Sequence, residues 1–380
     1  MRGVAVFMLT SQKMQQPLNL TPLYKKSLDL QPLTADEALC LYERAPLAEL
    51  MSAANQLRQR LVPGKGVSWQ IDRNVNITNV CISGCKFCAF HCGLRSKKAR
   101  TTTLDEYAQK VDELFAKGGS QLLLQGGLHP AYGLSFYEAL FRRLKQKYPA
   151  LKLHALGPPE VAHVAQLENL SYRETLQRLA AAGLDSLPGA GAEILADRVR
   201  SILSPRKPGV QAWLDVMREA HRMGLATSAT MMFGHVETRA ERVHHLLLLR
   251  DLQSEKPRST CGFLSFICWT AQLENVKSNA LFRNVKKVSA AEYIRTVALA
   301  RLVLYNIPNV QASWLTVGKS TAQLCLWAGA NDFGSIMMEE NVLSAAGGSH
   351  QFDAEEIQAA IREAGYEPWL RNQRYERVNA

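Results

Sequence analysis

The sequence predicts an α/β protein built as a (β/α)8 barrel of the TIM type, and two observations carry this prediction. From Val67 onward, short apolar or alternating runs take turns with longer runs at helical spacing. The cysteine cluster and the glycine-rich motifs follow these short runs, where the carboxyl ends of the strands would lie. In a barrel all these ends converge on one mouth, whereas an open doubly wound sheet brings only its switch-point strands together. We therefore favour the barrel.

Each predicted strand is followed by a helix-like segment or by a loop that leads to one. The strands are expected at residues 67–79, 120–126, 151–156, 183–188, 226–232, 262–268, 309–314 and 332–338. Thr34, with Glu37 three positions later, forms a capping-box pattern that opens a helical lead-in. We expect a poorly ordered or extended segment at 1–30, the lead-in at 31–66, the barrel at 67–345 and a C-terminal helical extension at 346–380.

Composition limits the partners that we expect. The net charge of +11 favours anionic ligands, but the basic residues are scattered and lack interleaved aromatic residues, so nucleic acid is not an expected partner. No stretch reaches the roughly 18 apolar residues that span a bilayer. Eight cysteines are too few for a disulfide scaffold in a chain of 380 residues, and their clustering predicts metal binding in the cytoplasm.

The most specific motif is NVCISGCKFCAF, which spaces Cys81, Cys85 and Cys88 as C-x3-C-x2-C. Thiolates are the usual ligands of iron–sulfur clusters, and a short loop can wrap three of them around one [4Fe–4S] cubane while the fourth iron stays open. An open iron can bind S-adenosylmethionine (SAM), and an electron from the cluster then releases the 5′-deoxyadenosyl radical. Phe87 is expected to cover the cluster or to face the adenine.

Cys92 leaves a second interpretation open. Together with the three cysteines of the motif it could form a closed four-thiolate site in a non-catalytic protein, holding zinc or an electron-transfer cluster. Zinc sites usually pair their ligands as two separated C-x2-C units, which favours the radical interpretation. The isolated cysteines are expected to pack as small apolar residues; these are Cys40, Cys261, Cys268 and Cys325.

Further candidate cofactor contacts follow the second and fourth predicted strands. Gly126 and Gly127 would let a ligand approach the backbone closely, although a tight turn would look the same. Glu193, in PGAGAEI, could accept hydrogen bonds from the ribose or ammonium group of the cofactor, or could be a helix-start charge. Arg200 could pair with the methionine carboxylate.

The fifth predicted strand ends in FGHVE, which places His235 and Glu237 where substrate should lie. Histidine moves protons near neutral pH, so both residues are candidate catalytic residues, unless they only orient their neighbours. Before the cysteines, Asp72, Asn74 and Asn76 alternate toward one face. This pattern is expected for a polar barrel interior, or for side chains that hydrogen-bond to the backbone at the base of the barrel.

Six motifs together resemble the radical SAM enzymes of the futalosine route to menaquinone, and among these the dehypoxanthine futalosine cyclases. The motifs are IDRNVNITNVCISGCKFCAF, HALGPPE, GLDSLPGAGAEIL, ATMMFGHVET, QASWLTVGK and GANDFGSIMMEENVLSAAG. The resemblance implies an oxidoreductase that takes hydrogen from sugar carbon 4′ of dehypoxanthine futalosine and adds the sugar radical to its benzoate ring. Loss of an electron and a proton then gives the cyclic product. A flavodoxin or ferredoxin is the implied electron donor.

Aminofutalosine synthase and the radical subunits that assemble a deazaflavin cofactor share some of these motifs and stay as alternatives. SLPGAGAEI, SIMMEENVLSAAG and IREAGYEPWLRNQRY favour the cyclase. The chain also departs from the family pattern. It has Gly157 where serine is usual, Ala190 within a usual run of three glycines, His91 and Cys92 in place of an aromatic–arginine pair, and Ala271 in place of phenylalanine.

Overall fold

The computed structural model describes residues 19–276, 278–339, 341 and 352–378. Parallel strands form a sheet with the order β10-β1-β9-β8-β7-β6-β5-β4-β3-β2, where the labels denote the following ranges. They are β1 (Gly66–Gln70), β2 (Asp72–Asn76), β3 (Gln121–Gln125), β4 (Lys152–Ala155), β5 (Ser186–Leu187), β6 (Ala226–Phe233), β7 (Phe263–Thr270), β8 (Asn309–Gln311), β9 (Asp332–Ser335) and β10 (Glu367–Leu370).

The two ends of this sheet meet because β1 and β2 are halves of one barrel strand. Only Ile71 separates them; β1 pairs with β9, and β2 pairs with β3. The chain after β9 continues the ladder, with Ile336 N–H donating to the Gln70 carbonyl at 3.1 Å and Met338 N–H to the Asp72 carbonyl at 3.2 Å. The prediction of a TIM-type barrel is confirmed, and every predicted strand range overlaps an observed strand.

Helices alternate with the strands and cover the outside of the barrel. They are α1 (Thr21–Leu28), α2 (Ala35–Arg44), α3 (Leu47–Leu61), α4 (Leu104–Ala116), α5 (Leu134–Lys147), α6 (Pro158–Glu168), α7 (Tyr172–Ala182), α8 (Asp197–Leu203), α9 (Val210–Arg222), α10 (Arg239–Glu255), α11 (Ala290–Val303), α12 (Trp314–Val317), α13 (Lys319–Trp327) and α14 (Ala354–Glu363), with a 3₁₀ turn at Glu274–Val276. The Thr34–Glu37 capping box is present at the start of α2. No helix in the described ranges is long and apolar enough to cross a membrane.

The structure differs from the sequence expectation at both ends of the barrel. Helix α1 lies inside the segment expected to be poorly ordered or extended, and Lys26 joins it to α2 through an ion pair with Glu37 at 2.6 Å; residues 1–18 lie outside the described residues. The C-terminal extension is not only helical, because β10 pairs in parallel with β1. Without β10, the backbone N–H and C=O groups on the side of β1 that faces away from β9 would have no strand partner.

Candidate active site

A cavity of about 420 Å³ extends through the barrel and has the size of an ordinary ligand site. At its mouth, the carboxyl end of the strands, it is lined by the loop that follows β2, including Cys81, Cys85 and Cys88. Polar strand residues line its middle, among them the predicted interior residues Asp72, Asn74 and Asn76. Its other end is lined by residues that follow β10, namely Arg371, Gln373 and Tyr375.

The cysteine loop is arranged to hold a cluster of several irons. Ser83 lies between two thiols, with its hydroxyl oxygen 2.9 Å from the sulfur of Cys81 and 3.4 Å from that of Cys85. The backbone N–H of Leu128 donates to the Cys81 sulfur at 3.3 Å. Hydrogen bonds to cluster sulfurs tune reduction potential, so these donors suit thiolate ligands. The residues present therefore fit a three-cysteine cluster, and Phe87 lines the cavity beside them.

A site for a single metal ion finds less support. Within the described part of the chain, no three His, Cys, Asp or Glu side chains are grouped as ligands of one ion. A cubane does not need such convergence, since each thiolate binds a different iron. Cys92 is absent from the described residues that line the cavity, and its backbone pairs with Asn79 and Cys81. The geometry thus favours three cysteines over the closed four-thiolate site.

Gly126 and Gly127 line the cavity, and their lack of side chains lets the loop after β3 pack on the cysteine loop. A Cβ atom at Gly127 would overlap the Val80 carbonyl and lie 2.8 Å from the Cβ of Cys81. At Gly126 it would lie 3.1 Å from the backbone nitrogen of Thr78. Glycine is therefore required at Gly127 for the two loops to pack, which accounts for that glycine whether or not a ligand contacts its backbone.

Glu193 is buried at the mouth, where it pairs with Lys207 at 2.5 Å. Burial alone would raise the pKa of Glu193, but the charge and hydrogen bond of Lys207 hold it below its usual value. Burial would lower the pKa of Lys207, yet Glu193 and the Cys85 thiolate together raise it. Lys207 also lies 5.6 Å above the ring of Phe87 and lines the cavity, so it remains a cation beside the cysteine loop.

Arg200 does not line the cavity, so the structure does not bring it to the expected methionine carboxylate. Its guanidinium donates to the carbonyls of Gly191 at 3.0 Å, Ala192 at 2.8 Å and Pro208 at 3.1 Å. These bonds brace the loop that carries Glu193, and they use donors that a ligand would need.

Lys207 was not among the residues predicted from the sequence. The sequence feature that could have indicated Lys207 is the basic pair in SPRKP, directly after α8.

The structure also directs His235 and Glu237 away from the cavity. Both side chains are fully buried, and Glu237 lies 2.7 Å from the His235 ring. Glu237 accepts the N–H groups of Gly234 at 2.7 Å and His235 at 2.9 Å, and the Arg242 guanidinium at 2.8 Å. Burial alone would raise the pKa of Glu237, but His235 and Arg242 hold it far below its usual value. The expected catalytic pair instead fixes the turn between β6 and α10.

Two other titratable residues of the cavity wall had no role predicted from the sequence; Glu160 is buried and His154 is partly buried. Glu160, in GPPE, accepts the Gly157 N–H at 3.0 Å, and burial raises its pKa. His154 lines the cavity with one ring nitrogen 2.7 Å from the Ser186 hydroxyl, and burial lowers its pKa to about 3. At neutral pH His154 is therefore an uncharged imidazole.

A TIM-type barrel with a three-cysteine loop at its mouth, directly above a polar cavity, defines a radical SAM enzyme. Comparison with known proteins supports this class. The radical SAM superfamily model matches residues 75–249, and the CofH/MqnC C-terminal region matches residues 260–380. The crystal structure of a methylornithine synthase shares the fold, with a TM-score of 0.68 over 92% of this chain and 98% of that chain at 17% identity.

Curated relatives match almost the whole chain. A cyclic dehypoxanthine futalosine synthase of Streptomyces coelicolor is 41% identical over 96% of this chain and 90% of its own length. A 5-amino-6-(D-ribitylamino)uracil–L-tyrosine 4-hydroxyphenyl transferase of Methanosarcina acetivorans is 36% identical over 91% of each chain. The chain therefore belongs to the radical SAM family that contains these enzymes, and its cofactors are a [4Fe–4S] cluster and SAM.

Proposed function

We propose that this enzyme cyclises dehypoxanthine futalosine, the reaction named for its Streptomyces relative. The observation that carries the proposal is the 41% identity to that synthase over 96% of the chain. The 5′-deoxyadenosyl radical would take the hydrogen atom from sugar carbon 4′ and become 5′-deoxyadenosine, and the sugar radical would add to the benzoate ring. Loss of one proton to solvent and of one electron to a one-electron acceptor, for which the oxidised cluster is available, would restore the aromatic ring. The product is therefore two hydrogen atoms lighter than the substrate.

Cys81, Cys85 and Cys88 would hold the cluster at the mouth of the cavity. When it is bound, the cluster supplies the electron that cleaves SAM to methionine and the 5′-deoxyadenosyl radical. Ser83 and the Leu128 N–H would hydrogen-bond to the coordinating sulfurs. The barrel walls would exclude water from the sugar radical, because apolar side chains such as Ile267 and Trp269 share the lining with the polar strand residues.

Lys207 would bind the carboxylate of the methionine part of SAM, whereas Glu193, which is not among the described residues of the lining, would act by positioning Lys207. Lys207 is the cation that lines the mouth, and Glu193 holds it in place at 2.5 Å. A carboxylate near Lys207 would complement its charge at short range. Phe87, on the cysteine loop, would pack against the cofactor, and Gly126 and Gly127 would present backbone groups to it.

We further propose a cytoplasmic reaction with a flavodoxin or ferredoxin as the electron donor. None of the eight cysteines, all of which lie in the described ranges, is paired in a disulfide, as is usual in a reducing compartment. Lys86 lies within the cysteine loop, between Cys85 and Cys88. Arg206 packs so closely on Gly84 of this loop that a Cβ atom there would overlap its guanidinium. Basic groups at this position would attract an acidic electron carrier toward the cluster.

Anaerobic assay of the reconstituted, reduced enzyme with SAM and dehypoxanthine futalosine tests the proposal. We expect 5′-deoxyadenosine together with a product two hydrogen atoms lighter than the substrate, measured by mass spectrometry. Formation of 5′-deoxyadenosine without this product would retain the radical enzyme and reject the substrate.

A transferase acting on tyrosine is the second candidate, since relatives with that name are also 36% identical over nearly the whole chain. The same reconstituted enzyme is therefore given L-tyrosine and 5-amino-6-(D-ribitylamino)uracil in a parallel assay. A coupled product in this assay alone would replace the cyclase with the transferase.

A further inference from the structure

The residues that follow β10 close the cavity at the end opposite the cysteine loop. We call residues 371–378 the floor segment. Arg371 donates to Asp332, the first residue of β9, and Gln373 accepts the hydroxyl of Ser186, the first residue of β5, at 3.4 Å. The cysteines follow the carboxyl end of β2, and the strands are parallel. The floor segment therefore lies at the amino ends of the strands.

The floor segment is held rigidly. Arg371 binds Asp332 at 2.6 Å, and Asp332 is fully buried. The Arg371 guanidinium lies 4.0 Å from the centre of the Tyr375 ring, which fixes the ring beneath the cavity. Tyr375 has a left-handed backbone with a φ of 60°, and its N–H closes a turn to the Asn372 carbonyl at 3.2 Å. Cation–π contact and turn geometry together orient this side chain.

The Tyr375 hydroxyl is buried and makes no hydrogen bond of good geometry in the described part of the chain, where the Ser265 hydroxyl is only a weak partner, and its residue lines the cavity. Burial raises the pKa of Tyr375 well above its usual value, while Arg371 and nearby Ser265 lower it to a smaller extent. The hydroxyl therefore keeps its proton at neutral pH. A buried hydroxyl with only a weak partner is costly, and in a cavity wall a ligand acceptor would satisfy it.

The charges of the cavity lining indicate which ligand group the floor segment would bind. Among the described residues of the lining, the cationic side chains are Lys207 at the mouth and Arg371 at the floor. Lys207 lies beside the cysteine loop, where SAM would bind. Arg371 already donates two hydrogen bonds to Asp332 and one each to Gln70 and the Asn372 carbonyl, so one of its five N–H donors remains for a further acceptor. A buried carboxylate needs both a nearby cation and direct hydrogen bonds.

We propose that Tyr375 is a specificity-determining residue, which donates its hydroxyl hydrogen to the substrate carboxylate beside Arg371. Under the proposed function, on which the identity of this acid rests, the group is the carboxylate of the benzoate ring. The ring then points toward the floor, and the sugar lies toward the mouth, next to the cofactor whose radical takes its hydrogen.

Equilibrium binding to the reconstituted, unreduced holoenzyme tests this assignment without turnover. The probes are dehypoxanthine futalosine and its carboxamide analogue, titrated by anaerobic calorimetry with wild type and Tyr375→Phe. A hydrogen bond to a charged group is worth about 1.5–3 kcal/mol, so we expect Tyr375→Phe to weaken acid binding roughly tenfold or more. The carboxamide should lose much less affinity.

Tyr107→Phe is the matched control, because Tyr107 also has a buried hydroxyl without a hydrogen-bond partner in the described ranges but lies outside the cavity lining. This variant should bind both probes as wild type does. Equal affinity of wild type and Tyr375→Phe for the acid would overturn the assignment while the proposed function stands. If wild type itself does not bind dehypoxanthine futalosine, the proposed function is rejected and the assignment with it. Iron content identifies any variant that fails to fold.

Discussion

Two turns at the carboxyl ends of barrel strands both looked catalytic in the sequence, but they serve different purposes. The loop after β2 lines the cavity with Cys81, Cys85 and Cys88. The turn after β6 buries His235 and Glu237 against each other and against Arg242 of α10. A position at a strand end brings a residue to the mouth of a barrel, but the partners that other segments supply decide whether it faces a ligand or the protein.

The largest expected effect that separates the two turns is on folding. Glu237→Gln removes the buried anion next to Arg242 and should lower the free energy of unfolding by about 3–5 kcal/mol, because an unpaired buried charge is left. Urea unfolding of the apoprotein measures the change. Iron content and 5′-deoxyadenosine formation per folded chain should match wild type.

Glu241→Gln is the control for this prediction. Glu241 lies near the same turn and pairs with Arg198 at 2.6 Å, but the Arg198 side chain is half exposed, so the loss should stay below about 1 kcal/mol. If the Glu237→Gln enzyme keeps its iron but no longer cleaves SAM, the turn takes part in the reaction and this interpretation is wrong.

Lys207 tests the cavity side of the comparison, since it lies beside the cysteine loop. Lys207→Gln should weaken SAM binding about tenfold, since a charge-assisted hydrogen bond contributes roughly 1.5–3 kcal/mol. Equilibrium dialysis with the reconstituted enzyme gives the dissociation constant. Lys145→Gln is matched to it, because Lys145 also pairs with a carboxylate, Asp185, at 2.6 Å but lies outside the cavity lining. Unchanged SAM affinity of Lys207→Gln would remove Lys207 from the site.

Acid should weaken the contact that joins α10 to the loop carrying Glu193. His245, on α10, accepts the Leu195 N–H at 2.9 Å, and burial lowers its pKa from 6.5 to about 3. The unfolded chain takes up a proton near pH 6.5, whereas the folded chain does not. The stability from neutral His245 is therefore complete above pH 6.5 and is lost as the pH falls toward 3, by about 1.4 kcal/mol per unit.

Guanidinium unfolding at pH 6.5 and pH 5 measures this loss. His245→Gln should lose roughly 2 kcal/mol less than wild type between the two values, because glutamine does not titrate. Since His221, with a pKa lowered to about 4, titrates in both proteins, only the difference between them reports on His245. The same loss in both proteins would show that His245 is not buried in its neutral form.

The smallest expected effect concerns two departures from the family pattern that lie against each other. An ideal Cβ atom at Gly157 would be 3.0 Å from the Cβ of Ala190, so serine and alanine cannot both fit without a shift. Gly157→Ser should cost about 1–2 kcal/mol through overpacking. Combining it with Ala190→Gly should recover part of this cost in thermal unfolding. Strict additivity of the two changes would mean that the two positions are independent.

Contiguous patterns made much of this structure predictable. The strand positions follow from short apolar runs, and Cys81, Cys85 and Cys88 follow from their spacing within one loop. Contacts between distant segments were not predictable. Arg200 and Lys207 are both basic and seven positions apart, and only the path of the chain after α8 brings Lys207 to the cavity.

The floor segment shows the same limit more strongly. Arg371 and Tyr375 belong to a C-terminal motif that indicated the family but predicted no ligand contact, and β10 brings them under the barrel by pairing with β1. Likewise, the partner that withdraws Glu237 from the mouth is Arg242, one turn into the following helix. A local motif cannot reveal such a partner, because burial and pairing depend on the packed barrel.

The central claim is that Cys81, Cys85 and Cys88 alone hold the cluster. The Cys92→Ala variant tests it through three measurements: iron content, sulfide content and SAM cleavage. The variant and wild type are reconstituted anaerobically, analysed for iron and sulfide, reduced, and given SAM. The three-cysteine site predicts a complete [4Fe–4S] cluster and 5′-deoxyadenosine formation in both proteins, whereas Cys85→Ala should lose both. Loss of iron from Cys92→Ala, or no 5′-deoxyadenosine from fully loaded wild type, would contradict it.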